Sequence, residues 1–80
     1  MYNVYVIKSK VDARLYVGFT ENFERRLIEH NKGRTRSTKG YIPWELVYIE
    51  EIDNRPAARN REKYLKSGSG KEYLKRILAP

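Results

Sequence analysis

A small α+β fold, a three-stranded antiparallel sheet with helices packed on it, is predicted by three features of these 80 residues. Two β-branched and aromatic runs open the chain, separated by a short polar link. A third such run follows Pro43. Amphipathic segments with capping residues lie between and after them, giving the order β-β-α-β-α-α. One domain spanning residues 1–80 is expected, with a thin core and marginal stability.

Tyr2 to Lys8, YNVYVIK, is a strand by composition. Alternation puts Tyr2, Val4 and Val6 on one face and Asn3, Tyr5 and Ile7 on the other. Ser9 to Ala13 is polar and includes Asp12, which suits a hairpin loop. Arg14 to Phe19 is the second strand, with Leu15 and Val17 on one face and Tyr16 and Gly18 on the other. So short a link pairs the two strands antiparallel.

Thr20 or Asn22 caps a helix that runs to Asn31 and stops at Gly33. At about 100° per residue, Phe23 and Leu27 share its apolar stripe, with Arg26 and His30 along one border and Glu24 and Glu29 farther out. Lys32 to Gly40, KGRTRSTKG, lacks apolar residues and reads as a mobile basic loop carrying Lys32, Arg34, Arg36 and Lys39.

Trp44 to Glu50 alternates Trp44, Leu46 and Tyr48 against Glu45, Val47 and Ile49, which makes the third strand. Asn54-Arg55-Pro56 opens a second helix. Ala57, Ala58, Tyr64 and Leu65 form its apolar face, Glu62 lies at the edge of that face, and Gly68 stops it. Ser69-Gly70-Lys71-Glu72 forms a capping box for a last helix that turns Tyr73, Leu74, Ile77 and Leu78 inward.

Seventeen Lys and Arg against ten Asp and Glu leave a net charge of +7. That excess points to a polyanionic partner, most simply nucleic acid, although a basic surface without an assigned partner fits the composition as well. Cysteine is absent, which excludes disulfides and thiolate metal sites. No apolar run reaches about 18 residues and the opening residues form no signal peptide, so a cytoplasmic location without membrane attachment is expected.

The chain has a single histidine and no glycine-rich phosphate loop. A zinc site of several His or Cys ligands is therefore excluded, and a serine triad would rest on His30 with no nucleophile elbow to support it. What remains is a pair of tyrosines on adjacent strands, Arg26 and His30 on one helix edge, and Glu62 on another. That set suits phosphodiester hydrolysis. A planar guanidinium can bind two phosphate oxygens as charge grows on them, and one carboxylate can hold Mg²⁺ when phosphate and water supply the other ligands.

Asn3-Val4-Tyr5 followed by Tyr16-Val17-Gly18 resembles the paired motifs that name the GIY-YIG nuclease superfamily. The run from Asn22-Phe23-Glu24-Arg25-Arg26-Leu27 to His30-Asn31 is similar to the family's helix start, with a His or Tyr four residues beyond the arginine. Arg61-Glu62-Lys63 lies where the family carries its metal-binding glutamate. The likeness runs from Tyr2 to about Tyr73 and is greatest to small stand-alone bacterial members, related to the endonuclease module of the excision-repair nuclease.

The resemblance implies roles residue by residue. Tyr5 and Tyr16 would orient or activate water, Arg26 would stabilise the phosphate and His30 would assist it. Glu62 would hold a single divalent cation, Mg²⁺ or Mn²⁺, with no small-molecule cofactor expected, and Gly18 would give the backbone room. It further implies an endonuclease acting on DNA, RNA remaining open, with a possible setting in repair or recombination. Asn3 and Val4 depart from the first two letters of GIY, and Lys71 to Lys75 lacks the asparagine many family nucleases carry there.

Taken singly, each residue has a plainer reading. The tyrosines could be core aromatics, Arg26 could cover Phe23 with its stem, His30 could be a helix-end histidine, and Glu62 could pair with Arg59 or Lys66. Taken together they favour a metal-dependent endonuclease of little sequence preference, gripping phosphates through Arg25, Lys32, Arg34, Arg36 and Lys39. A nucleic-acid-binding module without efficient catalysis is the alternative that the absent asparagine favours. A protein-interaction domain is a third.

Overall fold

The computed structural model describes residues 1–79. Its three strands, β1 (Tyr2–Ser9), β2 (Leu15–Thr20) and β3 (Trp44–Ile52), form an antiparallel sheet in the order β2-β1-β3. β1 is central and covered on both sides, so Val4, Tyr5, Val6 and Ile7 are all at most 1% exposed. Alternation therefore sorts the core into two layers rather than an inside and an outside. Val4 and Val6 pack with Val17, Ala58, Leu65 and Leu74. On the opposite face Tyr5 and Ile7 pack with Phe23 and Trp44.

Helix α1 (Phe23–Asn31) covers the Tyr5 face. Its cap is Asn22, whose side chain accepts from the Arg25 amide at 3.0 Å, while Thr20 remains the last residue of β2. Gly33, at a φ of 76°, takes the left-handed turn that ends the helix. Helices α2 (Arg55–Lys66) and α3 (Gly68–Leu78) cover the Val4 face. The Asn54 side chain caps α2 by accepting from the Ala57 amide at 2.9 Å.

Several boundaries differ from the sequence expectation. β2 begins one residue later, at Leu15, and β3 runs on to Ile52. Gly68 does not stop α2 but begins α3, and the cap of α3 is Ser67 rather than Ser69. Ser67 Oγ accepts from the Gly70 amide at 3.2 Å and donates to the Tyr64 carbonyl at 2.5 Å, so one residue closes one helix and opens the next. A Cβ on Gly70 would overlap the Tyr64 carbonyl oxygen and lie 2.5 Å from Leu65 Cα. Ala57, Tyr64 and Ile77 face solvent, because the stripe that meets the sheet is narrower than the set of apolar residues on each helix.

The basic segment 32–40 is also more ordered than a mobile loop. The Thr38 amide donates to the Thr35 carbonyl at 3.1 Å, a 3₁₀ turn follows over Lys39–Tyr41, and Thr38 is fully buried. The Trp44 indole donates to the Thr38 carbonyl at 2.9 Å, which ties the segment to the core. Threonine carries a methyl group and can enter a core when its hydroxyl finds partners, which it does here.

The rotation of α2 is fixed by Arg61. Its Nε meets Glu50 Oε1 on β3 at 2.7 Å, Tyr48 also donates to Glu50, and the guanidinium lies 5.2 Å and 5.4 Å from the centroids of Tyr64 and Tyr73. Glu62 lies on the other flank of the buried Ala58–Leu65 stripe.

Candidate active site

The register of β1 against β2 sets Tyr5 opposite Gly18 and Ile7 opposite Tyr16. The Tyr5 ring lies across the glycine so closely that a Cβ there would stand 2.6 Å from Tyr5 Oη. Only glycine leaves room for that phenol. The ring continues to Phe23, with centroids 5.3 Å apart, and to Tyr16 at 6.4 Å.

Under α1, Tyr5 Oη and His30 Nε2 are 2.9 Å apart, and His30 Nδ1 lies 2.8 Å from Thr38 Oγ1. His30 is 0% exposed, so it lies inside the core rather than at its margin. The 35–38 turn closes over it. Burial, reinforced by the neighbouring Arg26 charge, pushes its pKa down to about 4. A neutral, enclosed imidazole cannot hold a phosphate as a cation; its contacts are with Tyr5 and Thr38.

Tyr5 is likewise pushed up to about 12, first by burial, with Tyr16 and Glu62 adding to the rise and Arg26 opposing it. The phenol therefore stays protonated at neutral pH. Tyr16 packs edge-on to His30 at 5.0 Å and to Trp44 at 6.4 Å, and it is partly exposed where Tyr5 is not.

Arg26 reaches the same cluster from the outer edge of α1. Its side chain is 35% exposed, and Nη1 donates to Glu29 Oε1 at 3.0 Å. Although partly desolvated, the guanidinium is held above its ordinary pKa by Glu29 and by Tyr5. A permanent charge thus stands beside the phenol and open to solvent.

Glu62 belongs to the helix on the other face of the sheet. Its charge adds to the rise of the Tyr5 pKa. Its Oε2 accepts from Lys66 Nζ at 3.2 Å, and that ammonium lies 6.0 Å from the Tyr16 centroid. Tyr5, Tyr16, His30 and Gly18 therefore form one contiguous cluster with Arg26 at its outer edge, and Glu62, paired with Lys66, belongs to the opposite face of the sheet.

Two clefts lead away from the cluster. One, of about 340 Å³, runs beside Arg26 and is lined by Arg25 and Arg55 together with Glu21 and Glu29. The other, of about 530 Å³, borders Tyr16 and carries Lys66, Lys71 and Lys75 over an apolar floor of Leu15, Val17 and Leu74. Arg25, Lys32, Arg34, Arg36 and Lys39 are all exposed. The sequence reading had missed Arg55, the three lysines of the second cleft and the buried Thr38. Only the placement of α2 and α3 around β2 makes those lysines neighbours of Tyr16.

Comparison with known proteins shows the family and the fold. The family model described as the GIY-YIG catalytic domain matches residues 1–75. A UPF0213 protein of Clostridium perfringens is 40% identical over 75 residues, spanning 92% of this chain and 80% of that protein. Another, from Natronomonas pharaonis, is 46% identical over 65 residues, spanning 80% of this chain and 75% of its own length. The solution NMR structure of the UPF0213 protein BH0048 from Bacillus halodurans matches with a TM-score of 0.58 at 30% identity, over 96% of this chain and 85% of that one.

Proposed function

The chain belongs to the GIY-YIG family, and from that premise we propose that it is an endonuclease that hydrolyses DNA phosphodiester bonds with one divalent cation, Mg²⁺ or Mn²⁺, and little sequence preference. The supporting observation is the convergence of a solvent-open guanidinium and a partly exposed tyrosine on the buried Tyr5–His30 pair. Arg26 binds the scissile phosphate, where its planar N–H groups meet non-bridging oxygens that gain charge in the transition state. Tyr16, the more exposed phenol, orients the attacking water. Tyr5 lies behind Tyr16, its hydroxyl fixed by His30.

Glu62 suits a hard cation. Among the described residues no group of three or more His, Cys, Asp or Glu could cage a metal. A cation held by this single carboxylate would need its other ligands from phosphate and water, which magnesium tolerates. Glu62 would hold the ion, which would supply neutralising charge for the phosphate and the departing oxygen. Affinity comes from phosphate contacts by Arg25 and Arg55 along one cleft, the lysines along the other, and the exposed Lys32, Arg34, Arg36 and Lys39.

A second reading, a nucleic-acid-binding module without efficient catalysis, is favoured by one observation: Lys66 already neutralises Glu62. Supercoiled plasmid separates the two. The endonuclease nicks it in Mg²⁺ or Mn²⁺ but not in chelator, and Arg26→Ala and Glu62→Ala abolish nicking without lowering the melting temperature. Plasmid binding with no nicking by the wild-type protein identifies the module.

A further inference from the structure

Thr38 lies eight residues beyond His30, in a segment whose composition marks it only as a basic loop. It is nevertheless 0% exposed, as is His30, and its Oγ1 stands 2.8 Å from His30 Nδ1. Both ring nitrogens of the imidazole are thus occupied, Nδ1 by Thr38 and Nε2 by Tyr5 at 2.9 Å.

The direction of these bonds follows from what each hydroxyl can reach. Thr38 Oγ1 has the Thr35 carbonyl as an acceptor at 3.4 Å, so its hydrogen turns there and a lone pair faces His30. His30 Nδ1 then carries the proton and donates to Thr38, leaving Nε2 as the acceptor for the Tyr5 hydroxyl. The reverse tautomer would aim an Nε2–H at Tyr5 Oη. The Tyr5 hydrogen would then have to find another acceptor in a pocket where the phenol is 1% exposed and pressed against Gly18.

We propose that Thr38 is a positioning residue for the active site: by accepting from His30 Nδ1 it fixes the imidazole tautomer, and through it the direction of a donor chain running Tyr5 → His30 → Thr38 → Thr35 carbonyl. Thr38 touches no substrate. Its backbone is anchored independently, since its carbonyl accepts from the Trp44 indole at 2.9 Å and from the Tyr41 amide at 3.1 Å. The side-chain hydroxyl is thereby left to serve His30. For its effect on catalysis, the inference rests on the nuclease reading; the tautomer stands apart from it.

His30 is the single histidine, so a ¹⁵N–¹H correlation spectrum of the imidazole ring reports it without assignment. In the wild-type protein at neutral pH, Nδ1 is expected as the protonated nitrogen and Nε2 as the unprotonated one, the reverse of free histidine. In Thr38→Val the spectrum moves toward the Nε2–H form, while Thr38→Ser keeps the wild-type pattern. On plasmid, Thr38→Val lowers kcat about tenfold at unchanged KM, the size usual for a residue acting through another, and Thr38→Ser restores it. A wild-type spectrum with Nε2 protonated overturns the inference, as does a Thr38→Val protein with both its tautomer and its kcat unchanged. If Thr38→Val does not fold, the wild-type spectrum and Thr38→Ser decide. An inactive wild-type protein with the Nδ1–H spectrum would sink the nuclease reading while leaving the donor chain in place.

Discussion

Tyr5 Oη and His30 Nε2 meet at 2.9 Å between two side chains that are each at most 1% exposed. They come from the central strand and from the helix above it, so the bond ties α1 to the sheet at the point where the candidate site begins. Both groups stay neutral at physiological pH because burial disfavours their charged forms.

Stability should fall on mild acidification. His30 titrates near 4 in the fold against 6.5 ordinarily, so the unfolded chain takes up the proton first. This contribution is complete above pH 6.5 and declines by about 1.4 kcal/mol per unit down to pH 4, a total of about 3 kcal/mol, then ceases to change. Arg26 and Glu29 are the charges that face the ring and oppose each other there. Urea midpoints measured across that range should drop for the wild-type protein and stay nearly level for His30→Gln.

Gly18→Ala should destabilise the protein, although alanine ordinarily gains about 0.5–1 kcal/mol over glycine inside a strand. The added carbon would stand 2.6 Å from Tyr5 Oη and 2.8 Å from Cζ, which forces the phenol off His30. Overpacking of this kind costs about 1–3 kcal/mol. Denaturant unfolding checks the sign, and loss of the His30 ring's hydrogen-bonded NMR signature checks the cause.

Gly70→Ala should reverse the usual helix preference in the same way. Its Cβ would run into backbone, the Tyr64 carbonyl and Leu65 Cα, which cannot swing aside like a side chain. The expected loss is at least about 1–3 kcal/mol. Gly68→Ala, where nothing lies within 4 Å, should be neutral or stabilising. Thermal melts of the two variants should therefore move in different directions.

Nucleic-acid affinity should fall steeply with salt. If Arg25, Lys32, Arg34, Arg36 and Lys39 each neutralise a phosphate, the logarithmic slope against salt on duplex DNA is about −4.5, and each single alanine substitution reduces its magnitude by about 0.9. Fluorescence anisotropy with Glu62→Ala, in buffer without divalent ions, gives the slope free of cleavage.

The strands were legible because β1 alternates so cleanly that Val4 and Tyr5 could be assigned to opposite faces. Asn22, Gly33 and Asn54 likewise announce their caps through side-chain chemistry that acts locally. The α2–α3 junction was not legible, since Ser67 and Ser69 flank Gly68 and either could cap; only the packing of Gly70 on Tyr64 chooses between them. His30 could be placed beside the apolar stripe of α1, but its complete burial depends on Thr38, which no periodicity marks. Tyr5, Tyr16, Arg26, His30 and Glu62 were all nameable from spacing and family likeness. That Glu62 sits on the face of the sheet opposite Tyr5 was not legible, since it depends on the packing of α2 against β1, elements distant in sequence.

The most direct test of the central claim compares wild-type protein with Glu62→Gln in single-turnover nicking of supercoiled plasmid in Mn²⁺. The substitution keeps the shape of the side chain and removes only its charge. The account predicts a rate lower by on the order of 100-fold with an unchanged melting transition. Equal nicking by the two proteins would contradict it.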